Sequence, residues 1–264
     1  MAERRPEISA TDETTPLLAA SSANPTTQAN EESLVKHQSN ASPEDEEKPL
    51  PMGQIAILCY ARLIEPIAFF SIFPFVNQMI RDTGNLDERD VGFYSGLIES
   101  LFSLTQMLLM IQWGRLSDRV GRKPVLLFSL IGVSIAVSLF GFAKEIWQMI
   151  LFRCLAGVFA GTIVTVRTMI SENSTPKTQA RAFSLFAFSG NLGIFFGSFL
   201  GGALADPASQ YPKVFGHIRF FQHYPYATPT IIVGVMGLTS AIVIALFLKE
   251  VRMRNAMLDM LTLI

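Results

Sequence analysis

The chain has 264 residues, of which 50% are hydrophobic and only 16% charged, and its mean hydropathy is +0.36. That is too apolar for an ordinary soluble domain and points to a polytopic membrane protein. A net charge of -1 argues against a nucleic-acid partner and hides an asymmetry between an acidic tail and basic internal loops.

Residues 1–50 are rich in Ser, Thr, Pro, Asn and Glu. They carry too little apolar surface to fold and read as a disordered cytosolic tail. No apolar core follows a charged start, so the tail is not a signal peptide, and the first membrane helix has to serve as the insertion signal. The segment Glu13-Thr14-Thr15-Pro16-Leu17-Leu18 fits an acidic dileucine pattern. Glu13, Leu17 and Leu18 are therefore either a sorting signal, favouring vacuole or endosome over plasma membrane, or an incidental leucine pair in a solvated tail.

Six apolar runs follow, at about 54–79, 91–113, 125–142, 146–168, 182–205 and 229–248. Each can cross a hydrocarbon core of about 30 Å at about 1.5 Å per residue, the third only just. Unalternating runs of this length exclude a barrel. The predicted fold is an all-α membrane protein in which residues 51–250 form a bundle of six transmembrane helices. Residues 251–264 read as a short cytosolic end with the look of a truncation. Cys59 and Cys154 both lie inside apolar runs and are expected to be free thiols.

Loop charge sets the orientation. With the tail inside, the cytosolic loops hold Arg115, Arg119, Arg122, Lys123, Lys177, Arg181, Lys249, Arg252 and Arg254. The outer loops hold only Arg81, Arg89, Lys144, Lys213 and Arg219. The bias favours a cytosolic N-terminus.

Between the second and third runs lies Gly114-Arg115-Leu116-Ser117-Asp118-Arg119-Val120-Gly121-Arg122-Lys123-Pro124, which reads as a tight polar turn in which Gly114 and Gly121 allow close approach. Position for position, Gly114 to Leu126 resembles motif A of the major facilitator superfamily of transporters, in the place where that family carries it. Arg153, Gly157 and Gly161 in the fourth run resemble motif B, whose arginine is implicated in proton coupling. In the fifth run Gly193, Gly197, Gly201 and Gly202 resemble the antiporter motif C, with Ser198 where that motif has proline; close helix packing through small residues is the other reading of these glycines. The first run, from Arg62 to Phe75, is similar to the first helix of the drug:proton antiporter subgroup, especially its fungal and plant facilitator-like members.

The resemblance implies the N-terminal six-helix half of a twelve-span fold. It implies partners in the bilayer, a small-molecule substrate, protons, and a second six-helix half or a homodimer. It also implies a conformational latch of Gly114, Asp118, Arg119, Gly121, Arg122 and Lys123, with Glu172 pairing to Arg122. A non-transporting membrane interaction or regulatory fragment that binds a full-length transporter is the alternative.

A mid-membrane charge costs roughly 2.5 to 3.5 kcal/mol, so each one implies a partner or a wet pathway. Arg62 and Glu65 share one helical face near mid-bilayer, and Glu99 and Arg153 reach similar depths from the other side. The pairs Arg62 with Glu65 and Glu99 with Arg153 either neutralise each other or include a proton carrier. Burial and a nearby arginine act on a carboxylic acid in opposite senses, as a reversible carrier needs. Glu65, beside Pro66, is the first choice. Gln54, Asn77, Ser103, Gln106 and Asn191 are expected to line the pore. Neither His-Glu-x-x-His nor Gly-x-Ser-x-Gly occurs, and His37, His217 and His223 lie outside the spans, so no enzyme, cofactor or metal site is expected.

Overall fold

The computed structural model describes residues 50–83 and 87–248. Glu13, Leu17 and Leu18, the rest of the predicted tail before residue 50, and the end at 251–264 lie outside the described residues. In chain order the helices are α1 Met52–Phe70, α2 Val76–Thr83, α3 Glu88–Val120, α4 Arg122–Phe140, α5 Ile146–Phe159, α6 Thr162–Glu172, α7 Pro176–Leu204, α8 Pro207–Gln210, α9 Pro212–Phe215, α10 Arg219–His223 and α11 Ala227–Phe247. Six of the stretches they form are long and apolar enough to cross a membrane: α1, α3, α4, α5 with α6, α7 and α11.

Two runs and the polar stretch between the second and third runs differ from their sequence reading. The run at 54–79 is not one helix. α1 passes through Pro66 without ending and stops before Ser71. The chain restarts as α2 beyond Pro74, where the Ile72 carbonyl accepts from both the Phe75 amide at 3.1 Å and the Val76 amide at 2.9 Å. Proline has no N–H to continue a ladder but fits the opening of a new helix.

The polar stretch at 114–124 is mostly helix rather than turn. α3 runs to Val120, α4 begins at Arg122, and Gly121 alone reverses the chain at φ 110° and ψ 154°, a region essentially reserved for glycine. Gly114 is helical, and a side chain there would meet only Val164 at an ordinary 3.8 Å, so no turn requires it. The fourth run is broken between Phe159 and Thr162.

α1 packs chiefly on α7 and α11, α4 on α11 and α5, and α3 on α5. Lipid removes most of the hydrophobic drive between helices, so close backbone approach through small residues carries the packing. On α11, side chains added at Gly234 and Gly237 would overlap Ser138 and Ser134 of α4. Those serines bond back to their own helix, Ser134 to the Leu130 carbonyl at 2.6 Å and Ser138 to the Ser134 carbonyl at 2.8 Å. They therefore present a small, satisfied surface. Apolar clusters fill the bundle at the end with Ile55, Leu126 and Met169, at the end with Phe75, Met79 and Tyr226, and between them around Ile67, Ala136 and Ala156. Leu108 and Ile111 on α3, Phe195 and Phe199 on α7, and Leu246 on α11 are exposed, as a helix facing lipid requires.

Candidate functional site

A cavity of about 480 Å³ opens among α1, α3, α6 and α7. Its polar lining includes Arg62, Glu65, Ser103, Gln106, Arg167 and Asn191, and its walls include Phe69, Phe70, Phe102 and Phe186. Ser103, Gln106 and Asn191, expected along a pore, all belong to this cavity lining. Gln54 and Asn77 do not: the Gln54 amide donates to the Phe247 carbonyl at 3.2 Å, and Asn77 lies beyond the break after α1, on exposed α2 surface.

Glu65 is buried, 7% exposed. Its Oε1 accepts from Gln106 Nε2 at 2.5 Å, its Oε2 is buried with no hydrogen-bond partner among the described residues, and the Ile163 amide at the start of α6 faces the carboxylate. Arg62 does not pair with it. Among the described residues no ion pair joins the two; the Arg62 guanidinium lies 5.0 Å over the Phe186 ring, and its Nε is also unpartnered. Residues three apart share a face, but their side chains diverge here, Glu65 toward α3 and Arg62 toward α7. Gly190 makes room for that arginine, since a Cβ there would sit 3.3 Å from Nη2.

Behind Gln106 lies the break in the fourth span. Each carbonyl freed there finds a donor from α3 or α4. Trp113 Nε1 donates to the Val158 carbonyl at 2.7 Å, Ser129 Oγ to that of Phe159 at 2.5 Å, and Gln106 Nε2 to that of Ala160 at 3.2 Å. The Gly161 amide in turn donates to Ser129 Oγ at 3.2 Å. An unpaired peptide group in a low-dielectric interior costs several kcal/mol, so these three side chains are what permit the break. The motif B glycines serve the same packing: a Cβ on Gly157 would lie 2.6 Å from the Phe102 carbonyl, and one on Gly161 2.6 Å from the Trp113 ring.

Glu99 and Arg153 do meet. Arg153 Nη2 pairs with Glu99 Oε1 and donates to the Phe69 carbonyl at 3.3 Å. The guanidinium is enclosed by the rings of Phe69 and Phe102, both at 5.2 Å, and Phe140 at 5.7 Å. Cation–π attraction supplements hydrogen bonds that Nε and Nη1 lack.

At the far end of α3, Arg122 Nη2 lies 2.6 Å from Glu172 Oε1 and 3.6 Å from Asp118 Oδ1. Lys123 caps the last helix, donating to the carbonyls of Ala245 at 2.9 Å and Leu248 at 2.8 Å. Arg119 is exposed, and the Asp118 side chain is 68% exposed, open to a further partner.

On α7 a row of glycines faces α1. A Cβ on Gly193 would lie 2.6 Å from the Leu63 carbonyl, one on Gly197 3.0 Å from Ile67 Cα, and one on Gly201 would overlap the Ser71 carbonyl. Gly202 is different, with Pro74 at an ordinary 3.7 Å.

Two functional positions escape the sequence reading. Arg167 lies at the end of an apolar run that leads into a loop with further cations, and only its place in the cavity lining separates it from them. Gly190 continues the Gly193, Gly197 and Gly201 row at helical spacing, a signal present in the sequence.

The family model described as Major Facilitator Superfamily matches residues 58–256. An efflux pump of Aspergillus niger, azaK, is 57% identical over 201 residues, covering 76% of this chain and 41% of the pump. The multidrug transporter mfsB of Aspergillus fumigatus is 36% identical over 220 residues, covering 83% of this chain and 36% of its own length. A bacterial homologue of the human lysosomal transporter Spinster superposes with a TM-score of 0.64 at 21% identity, covering 77% of this chain and 44% of that one. The chain spans less than half the length of each of these proteins.

Proposed function

Because the chain belongs to the Major Facilitator Superfamily, we propose that it is the N-terminal six-helix half of a transporter that moves small organic solutes by proton-coupled antiport. In alternating access two bundles rock around a site near the midplane. The second bundle comes from a longer form of the chain, a partner chain or a second copy, and residues 1–50 act as a cytosolic tail. The substrate is amphipathic: phenylalanine walls take an apolar body, and Arg62, Arg167, Ser103 and Asn191 take its polar end.

The observation that carries this reading is the difference between two acids. Glu99 is held by the enclosed Arg153. Glu65 lines the cavity with one carboxylate oxygen unengaged. Glu65 is therefore the group free to take and release a proton, and a solute seated at its open oxygen excludes that proton, which is the competition an exchanger needs. Arg122, Asp118 and Glu172 form the latch at the cytosolic end, with exposed Asp118 offered to the second bundle. Glu13, Leu17 and Leu18 direct the protein to a vacuolar or endosomal membrane.

The test is flux in sealed vesicles with a pH gradient, using a form joined to its second bundle. Glu65→Gln should abolish proton-driven flux and make solute binding independent of pH; undiminished flux would remove Glu65 from the role. Robust transport by this chain as a monomer would defeat the two-bundle reading. A second reading is a regulatory chain that associates with a full-length transporter. It requires that co-expression silence such a relative. Replacing Leu17 and Leu18 by Ala should reroute a tagged protein, and unchanged location retires the sorting role.

A further inference from the structure

One amide nitrogen joins the cavity acid to the broken span. Gln106 Nε2 carries two protons; one goes to Glu65 Oε1 at 2.5 Å and the other to the Ala160 carbonyl at 3.2 Å. Both donors of that nitrogen are thereby committed. Ala160 sits at the break between α5 and α6, and no other donor serves its carbonyl among the described residues.

We propose that Gln106 is a positioning residue that couples the charge on Glu65 to the geometry of the break at Phe159–Gly161, making this break the element that responds when a proton enters the cavity. The proposal rests on Glu65 being the proton site.

The chemistry follows from what each group can donate. An ionised Glu65 accepts only, and its bond to the Gln106 amide is charge-assisted. A proton arriving from the cavity removes that assistance. The proton enters at the open Oε2, and rotation of the carboxyl then turns the O–H toward Gln106, which reverses the bond because the Gln106 amide oxygen becomes the acceptor. Turning the amide places an oxygen against the Ala160 carbonyl, which loses its donor. A peptide oxygen left unpaired in this interior is costly, so the chain at the break must shift to recover a partner.

The neighbouring donors are independent of Glu65. Ser129 serves Phe159 and Trp113 serves Val158, and neither touches the acid. The charged groups that face Glu65 are Arg62 from its own helix and Arg167 from α6. α3 presents Phe102, Ser103 and Gln106, and α7 presents Phe186, Ala187, Gly190, Asn191 and Ile194. The Glu99–Arg153 pair lies beyond the rings of Phe69 and Phe102. The Ile163 amide at the start of α6 also faces the carboxylate, but it reaches none of the freed carbonyls; Gln106 is the side chain that joins the acid to one of them.

The chain supplies its own reporter. It has two tryptophans: Trp147 is exposed, and Trp113 donates to Val158 and packs on Gly161 at the break itself. In a Trp147→Phe background, the whole chain in lipid nanodiscs is titrated while Trp113 emission and the infrared carboxyl band are followed together. The expected result is an emission shift that tracks the Glu65 band with one midpoint and is lost in Glu65→Gln. In Gln106→Leu the carboxyl band still titrates and the emission shift is lost. Gln106→Asn, one methylene too short to reach both acceptors, gives the same loss, so the outcome does not hang on one variant. Ser129→Ala removes a donor at the same break without touching Glu65 and should keep the shift.

A full emission response in either monodisperse Gln106 variant, or its loss in Ser129→Ala, overturns the relay. A Glu65 band that titrates with Trp113 silent overturns the relay and leaves the proton site standing. A band that never titrates overturns the proton site and the relay with it. No flux is read, so the result does not depend on a second bundle.

Discussion

Arg122 joins two different spans through its guanidinium, reaching Glu172 at the end of α6 at 2.6 Å and Asp118 on α3 at 3.6 Å. Its side chain is only 8% exposed and that of Glu172 22%, whereas Asp118 is 68% exposed. The two carboxylates are therefore unequal: the pair with Glu172 is sheltered and the pair with Asp118 is wet. Glu172→Gln should lower the stability of the bundle by about 1 to 2 kcal/mol, the range for a charge-assisted, partly sheltered bond. Asp118→Asn should cost less than about 0.5 kcal/mol, as exposed pairs do. Thermal unfolding of the two variants in one detergent checks the order, and equal losses would contradict it.

The α7 glycines make a graded prediction. Gly201→Ala drives a methyl into the Ser71 carbonyl, and Gly193→Ala meets backbone and the Pro66 ring, while Gly202→Ala finds Pro74 at 3.7 Å. Neither a carbonyl nor a proline ring can rotate away. The first two should destabilise by about 1 to 3 kcal/mol, the usual cost of overpacking, and the third should be near neutral. Melting temperatures of the three single variants decide it. A loss at Gly202 equal to that at Gly201 would mean that the residue acts through something other than packing.

Most of the six-helix pattern was legible because lipid imposes one constraint on every span, a long run of apolar residues without alternation. The ends of the helices were not. Polarity marks where a chain leaves the hydrocarbon, but a helix continues as long as its peptide ladder can, so Arg115 to Val120 looked like a turn and are helical. The breaks were hidden for a related reason. Pro66 and Pro74 are the same residue type, and only the second falls where the helix gives way. The break at Ala160 has no proline at all; it exists because Trp113, Ser129 and Gln106, distant in sequence, bring donors to it. Ion pairing was readable where a cation and an acid on different helices lay at the same depth, as with Glu99 and Arg153. For Arg62 and Glu65 a shared helical face did not specify the partner, because two long side chains on one face can diverge.

Arg153 is a buried cation whose single carboxylate partner among the described residues is Glu99. Removing the acid alone leaves the guanidinium uncompensated among aromatic rings, and truncating one partner of a buried pair typically costs about 3 to 5 kcal/mol. Glu99→Gln should therefore be severely destabilising, with Arg153→Met similar or worse through the lost bond to Phe69. The double variant Glu99→Gln, Arg153→Met should recover part of the loss, because it removes the stranded charge. Size-exclusion yield and thermal unfolding of the four forms complete the cycle. Losses that simply add would show that the two residues act independently.

At the opposite end from Glu172, Tyr226 caps α11 with its ring stacked on Phe75 at 5.3 Å and its hydroxyl donating to Asp82 Oδ2 at 2.5 Å. Burial first, and then the Asp82 carboxylate, push its phenol well above the ordinary tyrosine range. The sign follows from linkage. A phenol that ionises less readily when folded contributes its full stabilisation at neutral pH. It begins to lose that contribution once the pH rises through the unfolded value of about 10, where only the unfolded chain releases the proton. Stability should thus be flat in this respect below that value and fall above it. Tyr226→Phe keeps the stacked ring and removes the hydroxyl. It should cost about 1 kcal/mol at neutral pH and show a shallower alkaline decline than the parent chain. Unfolding midpoints measured on both proteins from neutral to alkaline pH test this, and parallel declines would show that the phenol has no share in the alkaline loss.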